Sequence, residues 1–179
     1  QKVLFASRLD PRKRPQAFLE MANLASSKLP NIEFVIAGAD AGAADEVSER
    51  LRILGNSKIS YLGALTGLEI ADLLSSSACL VLPAIWDVFP MIMVESACKG
   101  VPVLAVGGYE TSDWFAANGA AVLCDGSVEG LVAGLMNVLK TQAHLRETTG
   151  EFARRYLDEN EIARELLSRY SGSLESRVS

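Results

Sequence analysis

Two acidic residues eight positions apart, Asp87 and Glu95, are the part of this chain best placed to do chemistry. They flank a turn that follows an apolar run at 79–83, and a helical pattern begins between them. The turn therefore lies at the carboxyl end of a buried strand, where open α/β sheets bind ligands. Free N–H groups near Met91 and Ile92 could hold an anion at the helix start. Glu95 could accept hydrogen bonds from sugar or ribose hydroxyls.

A basic loop near the start of the chain carries a second group of chemically active residues. Arg8 and Lys13 are five positions apart, between an apolar run at 3–6 and a helical pattern that begins at Pro15. A guanidinium can grip phosphate with two hydrogen bonds, and an ammonium adds a point charge. The loop therefore favours a small anionic ligand, and a solvated basic loop is the alternative.

Strands and helices that position these loops alternate along the chain. Apolar runs predict strands at 3–6, 32–37, 59–62, 79–82, 102–106 and 120–124, and helical patterns occupy 15–28, 43–54, 67–76, 90–99, 110–117 and 128–140. The strands are apolar throughout, as parallel strands covered on both faces should be. The predicted fold class is α/β, a Rossmann-like doubly wound parallel sheet of about six strands. Two C-terminal helices are expected over 143–170, with Phe152 and Tyr156 among their buried residues.

Composition narrows the class of protein. The chain has 179 residues, 49% of them hydrophobic, and a net charge of -5. This length suits one domain with a substantial core. The acidic balance argues against a general nucleic-acid surface. The sequence contains no uninterrupted apolar run of about 18 residues, so no transmembrane helix is predicted.

The cysteines and the single histidine argue against a zinc site. Cys79, Cys98 and Cys124 are odd in number and form no Cys-x-x-Cys pair, and His144 lies in a polar helical pattern. We therefore expect no metal, a solvated His144 and a reducing, cytosolic compartment.

The two acids and the residues between them resemble a motif of family 4 glycosyltransferases, which are retaining enzymes of GT-B architecture. That motif has two acids separated by seven residues, and this chain shares its Phe89-Pro90 variant. Asp87 stands where the family usually has Glu.

The basic loop is similar to a second motif of the same family, Gly-Arg followed a few residues later by Lys-Gly. Arg8 and Lys13 match its two cations, whereas Ser7 and Arg14 replace its two glycines. The second replacement is expected to change how closely the backbone approaches a ligand. The two motifs occur in the family's order, and the likeness extends from Val3 to about Lys140.

The resemblance implies a role for each matched position. Arg8 and Lys13, with the helix start at Met91 and Ile92, would bind the donor diphosphate. The donor sugar and ribose would contact Asp87, Phe89, Pro90 and Glu95, with Asp87 and Glu95 as the catalytic residues. The nucleobase would lie near Gly38, Gly63, Ala64 and Leu65.

The resemblance also implies a place for the chain in a larger enzyme. Residues 1–172 would form the C-terminal, nucleotide-sugar-binding domain, and 173–179 a frayed tail. The acceptor, a glycan, lipid or other molecule, would bind an N-terminal domain absent from this sequence. The donor would be linked to UDP, GDP or ADP, with no other cofactor. The intact enzyme would be cytoplasmic, either free or peripheral at the inner face of a membrane.

Two expectations follow for the chain by itself. Because catalysis needs both reactants held in register, the chain alone should bind donor weakly and transfer no sugar. Part of the surface formed by Phe152, Tyr156 and Leu157 should also be exposed or covered in a dimer.

Two other classes of protein fit parts of the pattern. A non-catalytic α/β module could bind a nucleotide or phosphorylated small molecule with the basic loop alone. A glycosidase could use Asp87 and Glu95 as acid and base, but its carboxyl groups lie about 5 to 9.5 Å apart. A mostly helical separation of eight residues spans roughly 12 Å, which disfavours the glycosidase unless the loop folds back. A pure anion site would avoid carboxylates, so the paired acids favour the transferase over the binding module.

Overall fold

Strands and helices alternate through residues 1–158, which are the residues that the computed structural model describes. The strands are β1 (Lys2–Ala6), β2 (Glu33–Ala37), β3 (Ile59–Tyr61), β4 (Ser77–Leu82), β5 (Val103–Val106) and β6 (Ala121–Cys124). The helices are α1 (Pro15–Ser26), α2 (Ala44–Leu54), α3 (Gly67–Ser75), α4 (Met91–Cys98), α5 (Glu110–Ala117), α6 (Val128–Lys140) and α7 (Gln142–Tyr156). All six predicted strands are confirmed. The second half of the 143–170 prediction and the tail at 173–179 lie outside the described residues.

The six strands form one parallel sheet in the order β3-β2-β1-β4-β5-β6. The predicted Rossmann-like α/β fold is therefore confirmed. From β1 the chain adds strands toward one edge as far as β3, and from β4 it adds them toward the other edge. The loops after β1 and β4 consequently lead away from each other, which opens a crevice at the carboxyl ends of these two strands.

Both faces of the sheet are covered by helices, and the side chains of β1 show how. Val3 and Phe5 pack with residues of α1, α2 and α6 in one buried cluster. Leu4 and Ala6 point to the opposite face, where they pack with residues of α3, α4, α5 and α7. Successive strand residues alternate between faces. An apolar residue is therefore needed at each position, as the sequence pattern indicated.

Helix α7 covers an aromatic surface of α5. Trp114 lies 4.9 Å from Phe152 and 5.7 Å from Tyr156 between ring centroids, and Phe115 lies 4.6 Å from Phe152. Phe152 is only 2% exposed, and Leu157 is partly buried in the same cluster. The expectation of exposure is therefore wrong for Phe152, which α5 covers within the chain, whereas Tyr156 and Leu157 are only half-buried. A dimer through this surface stays a prediction.

Hydrogen bonds also tie α7 to the amino-terminal edge of the sheet. The side-chain amide of Gln142 donates to the carbonyl oxygen of Ala78 at 3.1 Å, and Arg146 donates to the carbonyl oxygen of Ser77. None of the helices in residues 1–158 has the length and hydropathy needed to cross a bilayer.

Candidate functional site

A cleft of about 550 Å³ lies where the crevice between the β1 and β4 loops was expected. The residues that line it are Arg8, Arg12, Lys13, Arg14, Ile85, Trp86 and Asp87. Four are cations and one is an anion, so the cleft favours a negatively charged ligand. The sequence analysis placed Arg8, Lys13 and Asp87 in one site, and the structure brings these three together.

An ion pair crosses the cleft from one loop to the other. The ammonium of Lys13 donates to Oδ2 of Asp87. The two side chains are 22% and 19% exposed, so this pair is partly shielded from solvent. The sequence analysis gave these residues separate ligands, a phosphate and a sugar, and did not predict their contact. The contact follows from the pairing of β1 with β4, because the two loops start from adjacent strand ends and can meet across the crevice between them.

The other cations of the β1 loop differ in how far they are already neutralised. Arg12 donates through Nε to Oδ1 of Asp10 at 3.0 Å and forms a salt bridge with the same carboxylate. These hydrogen bonds hold the pKa of the Asp10 carboxyl well below its usual range. Arg8 is exposed, and its guanidinium makes no hydrogen bond or ion pair with residues 1–158. Arg8 is therefore better placed than Arg12 to take an anionic ligand.

Arg14 keeps the backbone conformation of the glycine that the resemblance places there. Its φ is 56° and its ψ is 51°, and within residues 1–158 no other non-glycine residue has a positive φ. Its Nη1 donates to the carbonyl oxygen of Pro83 at 3.0 Å. The left-handed turn is thus retained, although this conformation costs a residue with a Cβ free energy that glycine would not lose. The Arg14 side chain meanwhile connects the β1 loop to the end of β4.

The start of α4 presents free donors beside the cleft. Pro90 is the residue before the helix, with φ -73° and ψ 103°, so the helix begins at Met91 rather than at the predicted position 90. No side chain caps this end, and its first turn contains no acid. The N–H groups of Met91 and Ile92 have no acceptor within the helix, as in any first turn. Anion binding by these two N–H groups stays a prediction.

The second acid of the predicted pair lies outside the cleft. Glu95 is exposed on α4, and its carboxylate makes no hydrogen bond or ion pair within the described part of the chain. Asp87, by contrast, lines the cleft. The two acids therefore have different surroundings, and Glu95 could reach a ligand only where that ligand extends beyond the cleft. Phe89, between them, is 50% exposed.

The residues predicted near a nucleobase lie on the same rim but not in the cleft. The N–H of Gly38 donates to the carbonyl oxygen of Gly63 at 2.8 Å. A Cβ on Gly38 would lie 1.8 Å from the carbonyl oxygen of Ser7, so the β2 loop packs directly on the β1 loop. Ala64 is exposed, and Leu65 lines a separate surface depression with Leu62.

Sequence reasoning missed one buried residue of the site, Tyr109. It is 5% exposed and lines a narrow cavity with Ser7, Lys13 and Asp87. Its hydroxyl has no hydrogen-bond partner in residues 1–158. Burial raises the pKa of Tyr109 to about 12, and the Asp87 charge adds to this shift. The signal available in the sequence was the Gly107-Gly108 turn that directly precedes Tyr109 at the end of β5.

Cysteine and histidine side chains are dispersed. Cys79 is buried, Cys124 is half-buried and Cys98 is exposed, and all three are free thiols. His144 is exposed on α7, as predicted. Within residues 1–158, no three His, Cys, Asp or Glu side chains cluster as metal ligands would.

The fold and site together define a Rossmann-like domain with a cleft lined mainly by cations at its topological switch point. Residues 1–156 match the family described as glycosyl transferases group 1. The chain therefore belongs to this family.

Curated relatives are longer than this chain. A D-inositol 3-phosphate glycosyltransferase from Paenarthrobacter aurescens is 25% identical over 155 residues, which cover 84% of this chain and 38% of that protein. The protein of the same name from Mycobacterium tuberculosis is 26% identical over 113 residues, covering 59% of this chain and 23% of that protein. The chain thus spans less than half the length of these relatives.

Solved structures share the fold at low identity. HepE from Anabaena, in complex with UDP and glucose, has a TM-score of 0.78 at 18% identity, over 95% of this chain and 48% of that one. The C-terminal domain of a glycosyl transferase group 1 family protein from Francisella tularensis has a TM-score of 0.73 at 16% identity. That match covers 88% of this chain and 86% of the Francisella chain.

Proposed function

We propose that this chain is the donor-binding domain of a retaining GT-B glycosyltransferase and that its cleft binds the diphosphate of a nucleotide sugar. The observation that carries this proposal is the meeting of Arg8 and Lys13 in one cleft, with the uncapped start of α4 next to Lys13 in the adjoining cavity. Cationic side chains and helix N–H groups are the donors that bind phosphate oxygens in proteins.

The solved relatives support the same class of ligand. HepE was solved with UDP and glucose, and GtfA, a pneumococcal O-GlcNAc transferase, was solved with UDP and GlcNAc. UDP is accordingly the first candidate for the nucleotide, with GDP and ADP as the others. The curated relatives are named as D-inositol 3-phosphate glycosyltransferases. We do not extend that acceptor to this chain, because they share only 25–26% identity with it.

Binding of a diphosphate would proceed by exchange of partners. Arg8 is free to grip one phosphate with two hydrogen bonds, and Lys13 turns from Asp87 to the other. Asp87 is then released to accept a hydrogen bond from a hydroxyl of the donor sugar. When the bond between sugar and diphosphate breaks, its electron pair leaves with the diphosphate. The donors of Arg8, Lys13 and the α4 start stabilise that developing charge.

Glu95 completes the proposed donor site at its outer end. A ribose that extends from the cleft along α4 would meet this exposed carboxylate, which can accept from two hydroxyls. The acceptor would bind to the remaining part of a larger protein, since the chain spans 38% of its relative from Paenarthrobacter. By itself the chain should bind nucleotide with Kd between about 1 µM and 1 mM and transfer no sugar.

The test is calorimetry on the 179-residue chain with UDP, GDP and ADP, each compared with its nucleoside. Replacing both Arg8 and Lys13 by Ala should weaken binding of the preferred diphosphate by at least about tenfold, because charge-assisted hydrogen bonds are lost. Nucleoside binding should change less than about twofold, since it lacks these phosphate contacts.

A matched control removes two cations elsewhere. Lys28 and Arg52 are exposed and do not line the cleft, so replacing both by Ala gives the same change of net charge. This control should leave diphosphate affinity nearly unaltered. Equal affinity of the wild type and the Arg8/Lys13 variant for the diphosphate would contradict the proposal. Sugar transfer by the chain alone would contradict the division between donor and acceptor parts.

A further inference from the structure

A narrow cavity of about 20 Å³ lies beside the Lys13–Asp87 ion pair. It is lined by Phe5, Ser7, Lys13, Leu82, Ala84, Asp87, Pro90, Ile92 and Tyr109. A single water molecule needs roughly 10–15 Å³ of such space. The cavity therefore has room for one oxygen-sized group and no more.

The polar groups on its wall define which group fits. The hydroxyl of Tyr109 is buried and has no hydrogen-bond partner among residues 1–158. The neighbouring Ser112 hydroxyl already donates to the backbone carbonyl oxygen of Tyr109 at 2.9 Å. An ionised Asp87 carboxylate accepts hydrogen bonds and donates none. A group that accepts from Tyr109 and donates to Asp87 satisfies both, and a hydroxyl does this with one oxygen atom.

We propose that Tyr109 is a specificity-determining residue of the donor site, whose hydroxyl donates to one hydroxyl of the donor sugar while that sugar hydroxyl donates to Asp87. This proposal rests on the proposed function of the cleft. The apolar walls of Phe5, Leu82 and Ile92 close around that hydroxyl. An acetamido group at the same carbon is excluded by size. A deoxy sugar leaves Tyr109 unpaired, which is the kind of mismatch that polar sites discriminate against most strongly.

The test compares each nucleotide sugar with its own diphosphate, by calorimetry on the 179-residue chain. The pairs are UDP-glucose with UDP, GDP-mannose with GDP, and ADP-glucose with ADP. In the wild type, at least one nucleotide sugar should bind more tightly than its diphosphate. Tyr109→Phe should reduce that gain by about 3- to 10-fold, the effect of one hydrogen bond, and leave the diphosphate affinity unchanged.

Thermal unfolding of the free protein separates this role from a structural one. Removing an unpaired buried hydroxyl should leave the Tm of Tyr109→Phe equal to or above that of the wild type. Tyr156→Phe is the control, because Tyr156 lies in the aromatic cluster of α7 and not in the cavity. The control should alter no nucleotide-sugar affinity.

The outcomes distinguish this inference from the proposed function. If the diphosphates bind but Tyr109→Phe leaves the gain from every sugar intact, the cavity holds only a water molecule and the inference is wrong. The same conclusion follows if no sugar adds affinity in the wild type. If no diphosphate binds the wild type at all, the proposed function fails and the inference fails with it.

Discussion

At the residue scale, Lys13 and Asp87 neutralise each other's charge within the cleft. Each side chain is about one-fifth exposed, so separating them without replacement partners leaves partly shielded charges unpaired. A ligand with phosphate at one end and a hydroxyl at the other offers a new partner to each. A phosphate ion offers a partner to Lys13 alone. The pair therefore favours a ligand that carries both groups.

Glu95 gives the first prediction at this scale. Glu95→Gln should weaken binding of the preferred ribonucleoside diphosphate by about 3- to 10-fold, because an amide has one acceptor oxygen where a carboxylate has two. The measurement is calorimetry with the ribonucleotide and its 2′-deoxy form. Glu110→Gln, at an exposed acid of α5 that does not line the cleft, is the control. Equal affinity of the wild type for the ribo and deoxy forms would show that Glu95 does not bind ribose.

Arg14 gives the second prediction, which concerns stability. Its left-handed backbone costs a residue with a Cβ about 1–2 kcal/mol, and glycine avoids this cost. Arg14→Gly should therefore be more stable than Arg14→Ala by about 1 kcal/mol, since both variants lose the hydrogen bond to Pro83. Urea unfolding measures the difference. An alanine variant as stable as the glycine variant would mean that the loop relaxes out of this conformation.

The two contacts of the site that the sequence did not predict both depend on neighbouring strands. The loop positions of Lys13 and Asp87 could be predicted from apolar runs and turn residues. Their ion pair requires β1 to lie beside β4, and the strand order is not contained in either run. Tyr109 reaches the cavity because β5 is the next strand beyond β4. Local patterns located these residues in the chain, but only the sheet order showed which of them meet.

At the scale of elements, helix and strand boundaries agree with the sequence to within two residues in most cases. The β4 strand begins at Ser77, two residues before the predicted start, because Ser77 and Ala78 are small enough to lie buried beside α3 and α7. The short 3-10 helix at Pro11–Lys13 was not predicted. It depends on Asp10, whose side chain accepts from the N–H of Arg12, together with a proline that suits a first helical position.

The contact between the β1 and β2 loops gives a prediction about Gly38. A Cβ at Gly38 would lie 1.8 Å from the Ser7 carbonyl oxygen, so Gly38→Ala must displace backbone. We expect a loss of about 3 kcal/mol in the free energy of unfolding. Gly42→Ala is a matched control, because Gly42 also has a positive φ of 102° but nothing lies within 4 Å of its added Cβ. It should lose only about 1 kcal/mol. Similar losses in both variants would mean that the loop contact is not tight.

At the scale of the whole molecule, α7 packs on the face of the sheet opposite the one that α1, α2 and α6 cover. Its aromatic contacts with α5 and its hydrogen bonds to the start of β4 connect the end of the described chain to its middle. Phe152 is the most deeply buried aromatic residue that α7 contributes to this packing. We therefore expect the packing of one face to depend on α7.

Phe152→Ala tests this dependence. We expect it to lower the free energy of unfolding by about 3–5 kcal/mol, the cost of removing a large buried ring. Ile53→Ala, at a side chain that is 60% exposed on α2, should cost less than about 0.5 kcal/mol. Chemical unfolding followed by circular dichroism measures both. A small loss for Phe152→Ala would indicate that α7 is dispensable for folding.

The ion pair between Lys13 and Asp87 joins residues 74 positions apart. A ligand that bridges the same two loops therefore acts as a non-covalent crosslink between β1 and β4, the central strands of the sheet. Such a ligand stabilises the folded chain by mass action. The stabilisation should extend beyond the two loops that the ligand contacts. When nucleotide binds, amide hydrogen exchange should accordingly slow in β1 and β4 together. The exchange rates of the two central strands would then report nucleotide binding.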